Sequence, residues 1–253
     1  MVRGLDIFRS HFAKYTEQYI LIGGTACDLA FDSAGIEFRS TQDLDIVLCV
    51  EALDKNFVEA FWKFIRIGKY GEAQQSKVDF RHYRFIKPGD NNFPKMIELF
   101  SCAPDILKIP DDIRIIPIPT DENLSSLSAI LLDDDYYRFI KSGRYITEDG
   151  LSIIKQEYLI PLKLYAWLDL IERKNRGEKV DSKDIKKHRN DVFRLFQLLK
   201  PADNVVLEGN VYKYTKRGLN QLLLEKSINL KALGLGKLTI EEVFEELKKI
   251  YGI

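Results

Sequence analysis

The sequence predicts an α+β core followed by a helical domain. In the first half, short apolar runs are separated by Gly, Pro and Asn turns, which is typical of strands and the connections between them. From about residue 121 the apolar residues recur mainly at helical spacing. We therefore place a boundary near residue 125, which gives a core of residues 1–125 and a helical domain of residues 126–253.

The spacing of apolar residues predicts each element of the core in turn. Helical spacing predicts helices at 3–15, 25–31 and 53–67, and short apolar or alternating runs predict strands at 19–22, 44–50, 78–86, 95–101 and 113–119. The turn residues at 88–92 make 78–86 and 95–101 an antiparallel hairpin. Prolines at the limit of the last strand favour the edge of a sheet.

The second half is predicted to be helical apart from one small hairpin. In chain order the elements are a helix at 122–132, a hairpin at 143–154, helices at 156–174 and 182–199, and a last helix that begins at a capping box formed by Thr239 and Glu242. Pro161 lies near the start of the helix at 156–174, where a proline is tolerated.

Composition is that of an ordinary globular protein. Of the 253 residues, 45% are hydrophobic and 30% are charged, and no apolar run is long enough for a membrane span. The first residues show no secretory pattern, so we expect a cytoplasmic protein. Cys27, Cys49 and Cys102 are far apart among apolar neighbours, which predicts buried thiols and excludes a disulfide framework or a zinc site.

The net charge of zero conceals an asymmetry between the two halves. Residues 1–125 carry 15 Lys and Arg against 19 Asp and Glu, whereas the remainder carries 23 against 19. An acidic half suits metal ligation, and a basic half suits phosphate or nucleic acid.

Two short motifs in the core point to chemistry. Gly23-Gly24 lies between a predicted strand and a predicted helix, where the backbone can approach a phosphate and the N–H groups of the helix start face the anion. Asp43 and Asp45 share one face of the following strand, so both carboxylates can bind the same divalent cations. The order of the two motifs indicates nucleotidyl transfer.

The segment 38–46 resembles the Arg-x-Thr-x-Asp-hydrophobic-Asp signature of the DNA polymerase β-like nucleotidyltransferase superfamily. The run from Gly23 to Ala26 is similar to the Gly-Gly-Thr-Ala of its AbiEii-type branch, the abortive-infection toxins. The resemblance implies a nucleotidyltransferase-type mixed sheet with flanking helices, followed by a C-terminal helical domain. It departs from that branch in the eighteen residues between Gly24 and Asp43, which predict an extended loop at 32–37.

A third carboxylate is expected on a neighbouring strand. Glu98 fits, because Ile97 and Leu99 form one face of their strand while Glu98 points to the other. Asp79 is the competing candidate, and the hydrophobic-acid-hydrophobic pattern that the resemblance implies favours Glu98.

Further nucleotide contacts are implied by the resemblance or by helix position. Arg39 and Thr41 stand where the superfamily places phosphate contacts, although Arg39 pairing on the surface and Thr41 capping a turn remain alternatives. Thr25, in the first turn of its helix, can reach a phosphate or simply cap the helix.

The helical half supplies a second cluster. Lys163 interrupts an apolar segment, where an unpaired buried ammonium is costly, so we expect it to face a cleft or an anion. It resembles in context the phosphate-binding lysine of the AbiEii-type branch. Lys187 and Asp191 lie one helical turn apart in a segment, 172–194, that carries nine Lys and Arg against five Asp and Glu. We interpret this segment as a phosphate-binding wall or a surface for RNA, with a solvated helix face as the alternative.

These residues predict a nucleotidyltransferase that moves NMP from an NTP to an acceptor hydroxyl. Asp43, Asp45 and Glu98 would bind two Mg²⁺ ions, or Mn²⁺ in their place, and the helical domain would complete the cleft for nucleotide and acceptor. The resemblance implies tRNA or another RNA as acceptor and an antitoxin protein as partner. The alternatives are adenylylation of a small molecule or a protein, and a nucleotide-binding scaffold that has lost turnover.

Overall fold

A computed structural model describes residues 2–39, 41–75, 82–102, 115–117, 133–225 and 228–253. The chain divides into two compact units, one formed by Met1–Leu124 with Lys141–Lys155 and the other by Ser125–Ile140 with Gln156–Ile253. The fold is α+β, with a mixed sheet in the first unit and helices in both. None of the described helices is both long enough and apolar enough to cross a membrane.

The described strands of the first unit form one sheet. They are β1 (Tyr19–Ile22), β2 (Asp43–Leu48), β3 (Tyr70–Gln75), β4 (His82–Pro88), β5 (Met96–Phe100), β6 (Ile115–Pro117), β7 (Arg144–Ile146) and β8 (Ser152–Ile154). Their order is β6-β3-β4-β5-β2-β1-β8-β7. The pairs β6–β3, β5–β2 and β1–β8 are parallel, and the other four pairs are antiparallel.

One face of this sheet is covered by an aromatic core. The helices of the first unit are α1 (Leu5–His11), α2 (Gly23–Ser33) and α3 (Lys55–Ile67). Phe8 of α1 and Phe61 and Phe64 of α3 pack in one cluster with Leu44 and Ile46 of β2. Because side chains alternate along a strand, this packing directs the intervening Asp43 and Asp45 to the opposite face.

The second unit is helical. Its helices are α4 (Asp134–Ser142, whose last residues belong to the first unit), α5 (Gln156–Asn175), α6 (Ser182–Phe196), α7 (Gly209–Leu223) and α8 (Ile240–Tyr251). Pro161 lies within the early turns of α5, as the sequence predicts. The capping box at the start of α8 is confirmed, since Thr239 Oγ1 accepts from the Glu242 N–H and the Glu242 side chain accepts from the Thr239 N–H.

The predicted elements agree with the structure in most places. The hairpin of β4 and β5 is confirmed, and β6 lies at one edge of the described sheet. The hairpin at 143–154 also forms, as β7 and β8, but it belongs to the first unit because β8 pairs in parallel with β1. The predicted helix at 122–132 lies outside the described residues.

Two further expectations concern local structure. The Gly pair is the first turn of α2 itself rather than a separate turn before it, and no helix or strand is formed at 34–37, within the predicted loop. The three cysteines form no disulfide bond within the described part of the chain, and Cys27 and Cys49 are buried.

Candidate functional site

A row of charged side chains crosses three neighbouring strands of the sheet. Asp45 of β2 is the direct neighbour of Glu98 in β5, and Glu98 is the direct neighbour of Arg84 in β4. Side chains of paired residues lie on the same face, and Asp43 shares that face because it precedes Asp45 by two residues. The predicted common face of Asp43, Asp45 and Glu98 is therefore present in the structure.

The charges of this row are largely removed from solvent. Asp45 is 9% exposed, Glu98 4% and Arg84 7%. The Nε and Nη2 atoms of Arg84 both donate to Oε1 of Glu98 at 3.1 Å. Since an isolated buried carboxylate is strongly unfavourable, Arg84 supplies the charge that allows Glu98 to lie beside Asp45.

Sequence reasoning missed Arg84, although a signal was available. Arg84 stands between Tyr83 and Phe85, in the same hydrophobic-charged-hydrophobic pattern that identifies Glu98. The parity of the two strands in the predicted hairpin would have allowed the two charges to share one face of the sheet, although not to be placed side by side.

Gly23 and Gly24 are required by their neighbours within the protein. Ile22 pairs with Asp45, so the chain enters α2 directly beside that carboxylate. Gly23 has φ +64°, and a Cβ atom there would lie 1.8 Å from Asp45 Oδ2, while one at Gly24 would lie 2.7 Å from Thr41 Oγ1. The Gly24 N–H donates to Asp45 Oδ2 at 3.4 Å. The glycines therefore let the helix start approach the row of charges closely.

The two threonines are part of the same local structure. The Thr25 hydroxyl is buried and donates to the Asp43 carbonyl oxygen at 2.7 Å, which fixes the start of β2 against α2. Thr41 touches the Gly24 position and lines a cavity of about 460 Å³ that also includes Asp28, Asp32 and Phe38. Burial raises the pKa of Asp28 in this cavity. Phosphate contacts by Thr25 and Thr41 stay predictions.

Arg39 lies on the loop that borders this cavity. Its guanidinium carbon is 5.0 Å from the centre of the Phe38 ring, a cation–π contact, and Phe38 in turn packs on Phe31 of α2. The nucleotide contact predicted for Arg39 is not tested by this geometry.

The donor set can be compared with what a divalent cation needs. Asp43 and Asp45 offer the hard carboxylate oxygens that Mg²⁺ prefers, on one face of one strand. Within the described ranges, no three His, Cys, Asp or Glu side chains are arranged as a ready metal site. A divalent cation at Asp43 and Asp45, with Glu98 as a third ligand, stays a prediction.

Lys163 has its anion within the second unit. Its Nζ lies 3.3 Å from Asp191 Oδ2, and the side chains of Lys163 and Asp191 are 3% and 0% exposed. Arg194 Nη1 also contacts Asp191, at 3.2 Å from Oδ1. The expectation that a buried Lys163 requires an anion is met by Asp191, and a nucleotide contact of this pair stays a prediction.

Lys187 behaves differently from Lys163. It is half-exposed, and its Nζ lies 3.7 Å from Asp184 Oδ1 in an ion pair along α6. Lys187 and Asp191 are one helical turn apart, but Lys187 is paired with Asp184, while Asp191 points into the helical core toward Lys163.

Seven predicted site residues thus come together in the first unit: Gly23, Gly24, Thr25, Thr41, Asp43, Asp45 and Glu98. Asp79 lies outside the described residues.

In comparisons with known proteins, no family model matches this chain, and the search of curated proteins finds no match either.

Proposed function

We propose that this protein is a metal-dependent nucleotidyltransferase that moves NMP from an NTP to an acceptor hydroxyl and releases pyrophosphate. The observation that carries the proposal is the contact of a glycine helix start with the acidic row. A Cβ atom at Gly23 would overlap Asp45, and Asp45 lies directly beside Glu98. One nucleotide could therefore reach both the backbone N–H groups that would bind its phosphates and the carboxylates that would hold the accompanying metal ions.

Each part of this site has a chemical role in the proposal. The N–H groups at the start of α2, an 11-residue helix, receive the triphosphate, and the absence of side chains at Gly23 and Gly24 lets it come close. Asp43 and Asp45 hold Mg²⁺ or Mn²⁺, which when bound neutralises phosphate charge and lowers the pKa of the attacking hydroxyl. Glu98 completes the acidic site and assists removal of the hydroxyl proton.

Arg84 holds the third carboxylate, that of Glu98, in place. Both of its contacting nitrogens donate to one oxygen of Glu98, so they fix the position of this carboxylate on the face that it shares with Asp45. We include Arg84 as a positioning residue, since it acts on Glu98 rather than on the nucleotide.

The acceptor in this proposal is an RNA hydroxyl, with tRNA as the first substrate to test. The motif of residues 23–26 supports this choice by its resemblance to the AbiEii-type toxins, which also makes a cytoplasmic location and an antitoxin partner part of the proposal. A nucleotide-binding scaffold is the second candidate, because the ion pair with Arg84 would also give Glu98 a purely structural role.

The test is transfer of label from NTPs radiolabelled at the α-phosphate to total RNA, with Mg²⁺ present. We expect labelled RNA with the parent protein and none with Asp43→Ala/Asp45→Ala, whose far-UV circular dichroism should be unchanged. Glu245→Ala/Glu246→Ala, which removes two carboxylates from the exposed face of α8, is the matched control and should keep full transfer.

The possible outcomes separate the candidates. Transfer at the parent rate by the double aspartate variant would exclude the acidic row from catalysis. If no NTP gives label on RNA but calorimetry shows NTP binding that depends on Asp43 and Asp45, the scaffold function replaces the transferase.

A further inference from the structure

Helix α7 carries a row of cationic and amide side chains along its exposed side. Its buried side chains include Val211, Leu219 and Leu222. The opposite side lines a shallow groove of about 390 Å³, and its lining residues are Lys213, Lys216, Arg217, Asn220, Gln221 and Leu224. Their spacing is that of one helical face, so the row runs along the helix rather than around it.

The charge of α7 is of one sign. The helix contains Lys213, Lys216 and Arg217 and no Asp or Glu. Arg217 contacts Glu172 of α5 at 2.5 Å between Nη1 and Oε1. Among the described residues, no carboxylate forms an ion pair with Lys213 or Lys216.

Neighbouring aromatic rings hold the two lysines instead. The Nζ of Lys213 lies 5.4 Å from the centre of the Tyr214 ring, and that of Lys216 lies 5.4 Å from the Tyr212 ring and donates to its hydroxyl at 3.3 Å. These contacts restrain the side chains while leaving the charges uncompensated. On α8, by contrast, Lys248 and Lys249 are each paired with a glutamate.

Two lysines without a carboxylate partner in the described part of the chain, beside the surface ion pair of Arg217, fit a polyanion with regularly spaced charges. We propose that the α7 row, defined as Lys213, Lys216, Arg217, Asn220 and Gln221, binds single-stranded RNA through its phosphates. The amides of Asn220 and Gln221 supply donors and acceptors suited to ribose hydroxyls and base edges, which a purely ionic surface lacks. The proposal concerns binding alone and holds whether or not the protein transfers nucleotides.

Two other polyanionic partners fit the row less well. A membrane-surface helix needs an exposed apolar face, whereas the apolar face of α7 is buried and the exposed apolar side chains at this end are Leu223 and Leu224. An acidic protein would leave the amides of Asn220 and Gln221 without the hydroxyl and base partners that RNA offers.

The test is fluorescence anisotropy with a labelled oligouridylate of about 12 nucleotides, without NTP and with EDTA. Each neutralised phosphate contributes about 0.7 to the slope of log affinity against log salt, so Lys213 and Lys216 together give a slope of about −1.4. Affinity of the parent protein should then fall roughly 7-fold between about 50 and 200 mM salt.

The variant Lys213→Gln/Lys216→Gln should bind more weakly and lose most of the salt dependence, because the cation that remains, Arg217, is paired with Glu172. Lys248→Gln/Lys249→Gln removes the same charge from α8 and should behave as the parent protein. Both changes are at exposed lysines, so melting temperatures should match.

Three results would overturn the proposal: no binding of the oligouridylate, equal loss in the α8 control, or oligothymidylate bound as tightly as the RNA. A variant that loses binding to vesicles of anionic lipid while keeping RNA binding would assign the row to membranes instead. Because NTP and metal are absent, failure here leaves the proposed transferase activity to its own test.

Discussion

Replacing Gly23 by alanine tests whether the helix start really lies against Asp45. Gly23 has φ +64°, so an alanine there adopts the left-handed conformation at a cost of about 1–2 kcal/mol. The new Cβ atom would also lie 1.8 Å from Asp45 Oδ2. A methyl group has no rotamer that could relieve this overlap. Asp45 must therefore leave its place.

The second part of the cost follows from the displacement of Asp45. Its carboxylate is largely buried and accepts a hydrogen bond from Gly24 N–H, and losing such a contact costs about 1–3 kcal/mol. Gly23→Ala should thus lower the free energy of unfolding by about 2–5 kcal/mol.

Gly35→Ala is the matched control. Gly35 has φ +69°, but no atom lies within 4 Å of the position of its missing Cβ. This variant should show the backbone strain alone, about 1–2 kcal/mol, and keep nucleotide transfer. The measurement is urea unfolding of both variants at one temperature, together with the transfer assay.

A double variant isolates the collision. Asp45→Ala removes the atoms that the new Cβ would strike most severely, so in that background Gly23→Ala should cost little more than Gly35→Ala does. Equal destabilisation by Gly23→Ala and Gly35→Ala in the parent background would refute the close approach, and with it the observation on which the proposed function rests.

The two buried ion pairs give the remaining predictions, both measured by urea unfolding. Arg84→Met leaves the Glu98 carboxylate buried without this guanidinium, and it should lower the free energy of unfolding by about 3–5 kcal/mol. The double variant Arg84→Met/Glu98→Leu should recover most of this loss. A loss below about 1 kcal/mol in Arg84→Met would mean that the pair is exposed to water. Lys163→Met should destabilise by about 1.5–3 kcal/mol, because the fully buried Asp191 loses one of its two cations and keeps Arg194. Lys187→Met, at a half-exposed pair, should change stability by less than about 1 kcal/mol. Similar effects of the two lysine variants would contradict the difference in burial.

Strand parity could be predicted from sequence, but strand register could not. The alternation of apolar and acidic residues was enough to place Asp43 and Asp45 on one face, opposite Leu44 and Ile46. That Asp45 lies beside Glu98 depends on parallel pairing of β2 with β5, two strands separated in the chain by α3, β3 and β4. Such pairing is decided by packing over the whole sheet, which local pattern does not contain.

Two other differences also arise from contacts between segments that are distant in the sequence. The strand β8 has only three residues, so its pairing with β1, and hence its membership of the first unit, leaves almost no trace in the sequence. Helix α7 was not predicted, because Gly209 and Gly218 are poor helix formers. Gly218 is needed there, since a Cβ atom would lie 3.0 Å from the Cβ of Leu164 in α5. The helix is therefore specified by a tertiary contact rather than by its own propensity.

The pairing of β8 with β1 affects the order in which the sheet can form during synthesis. Leu21 in β1 pairs with Ile153 in β8, so the sheet acquires this strand only after more than half of the chain has been synthesised. At ribosomal rates of about 5–20 residues per second, the edge of β1 waits on the order of 10 s for its partner. During that time its N–H and C=O groups are available to any other strand. A nascent chain that stalls before β8 emerges therefore carries an open sheet edge next to Gly23 and Asp45, and the first unit closes only when residues 141–155 have left the ribosome.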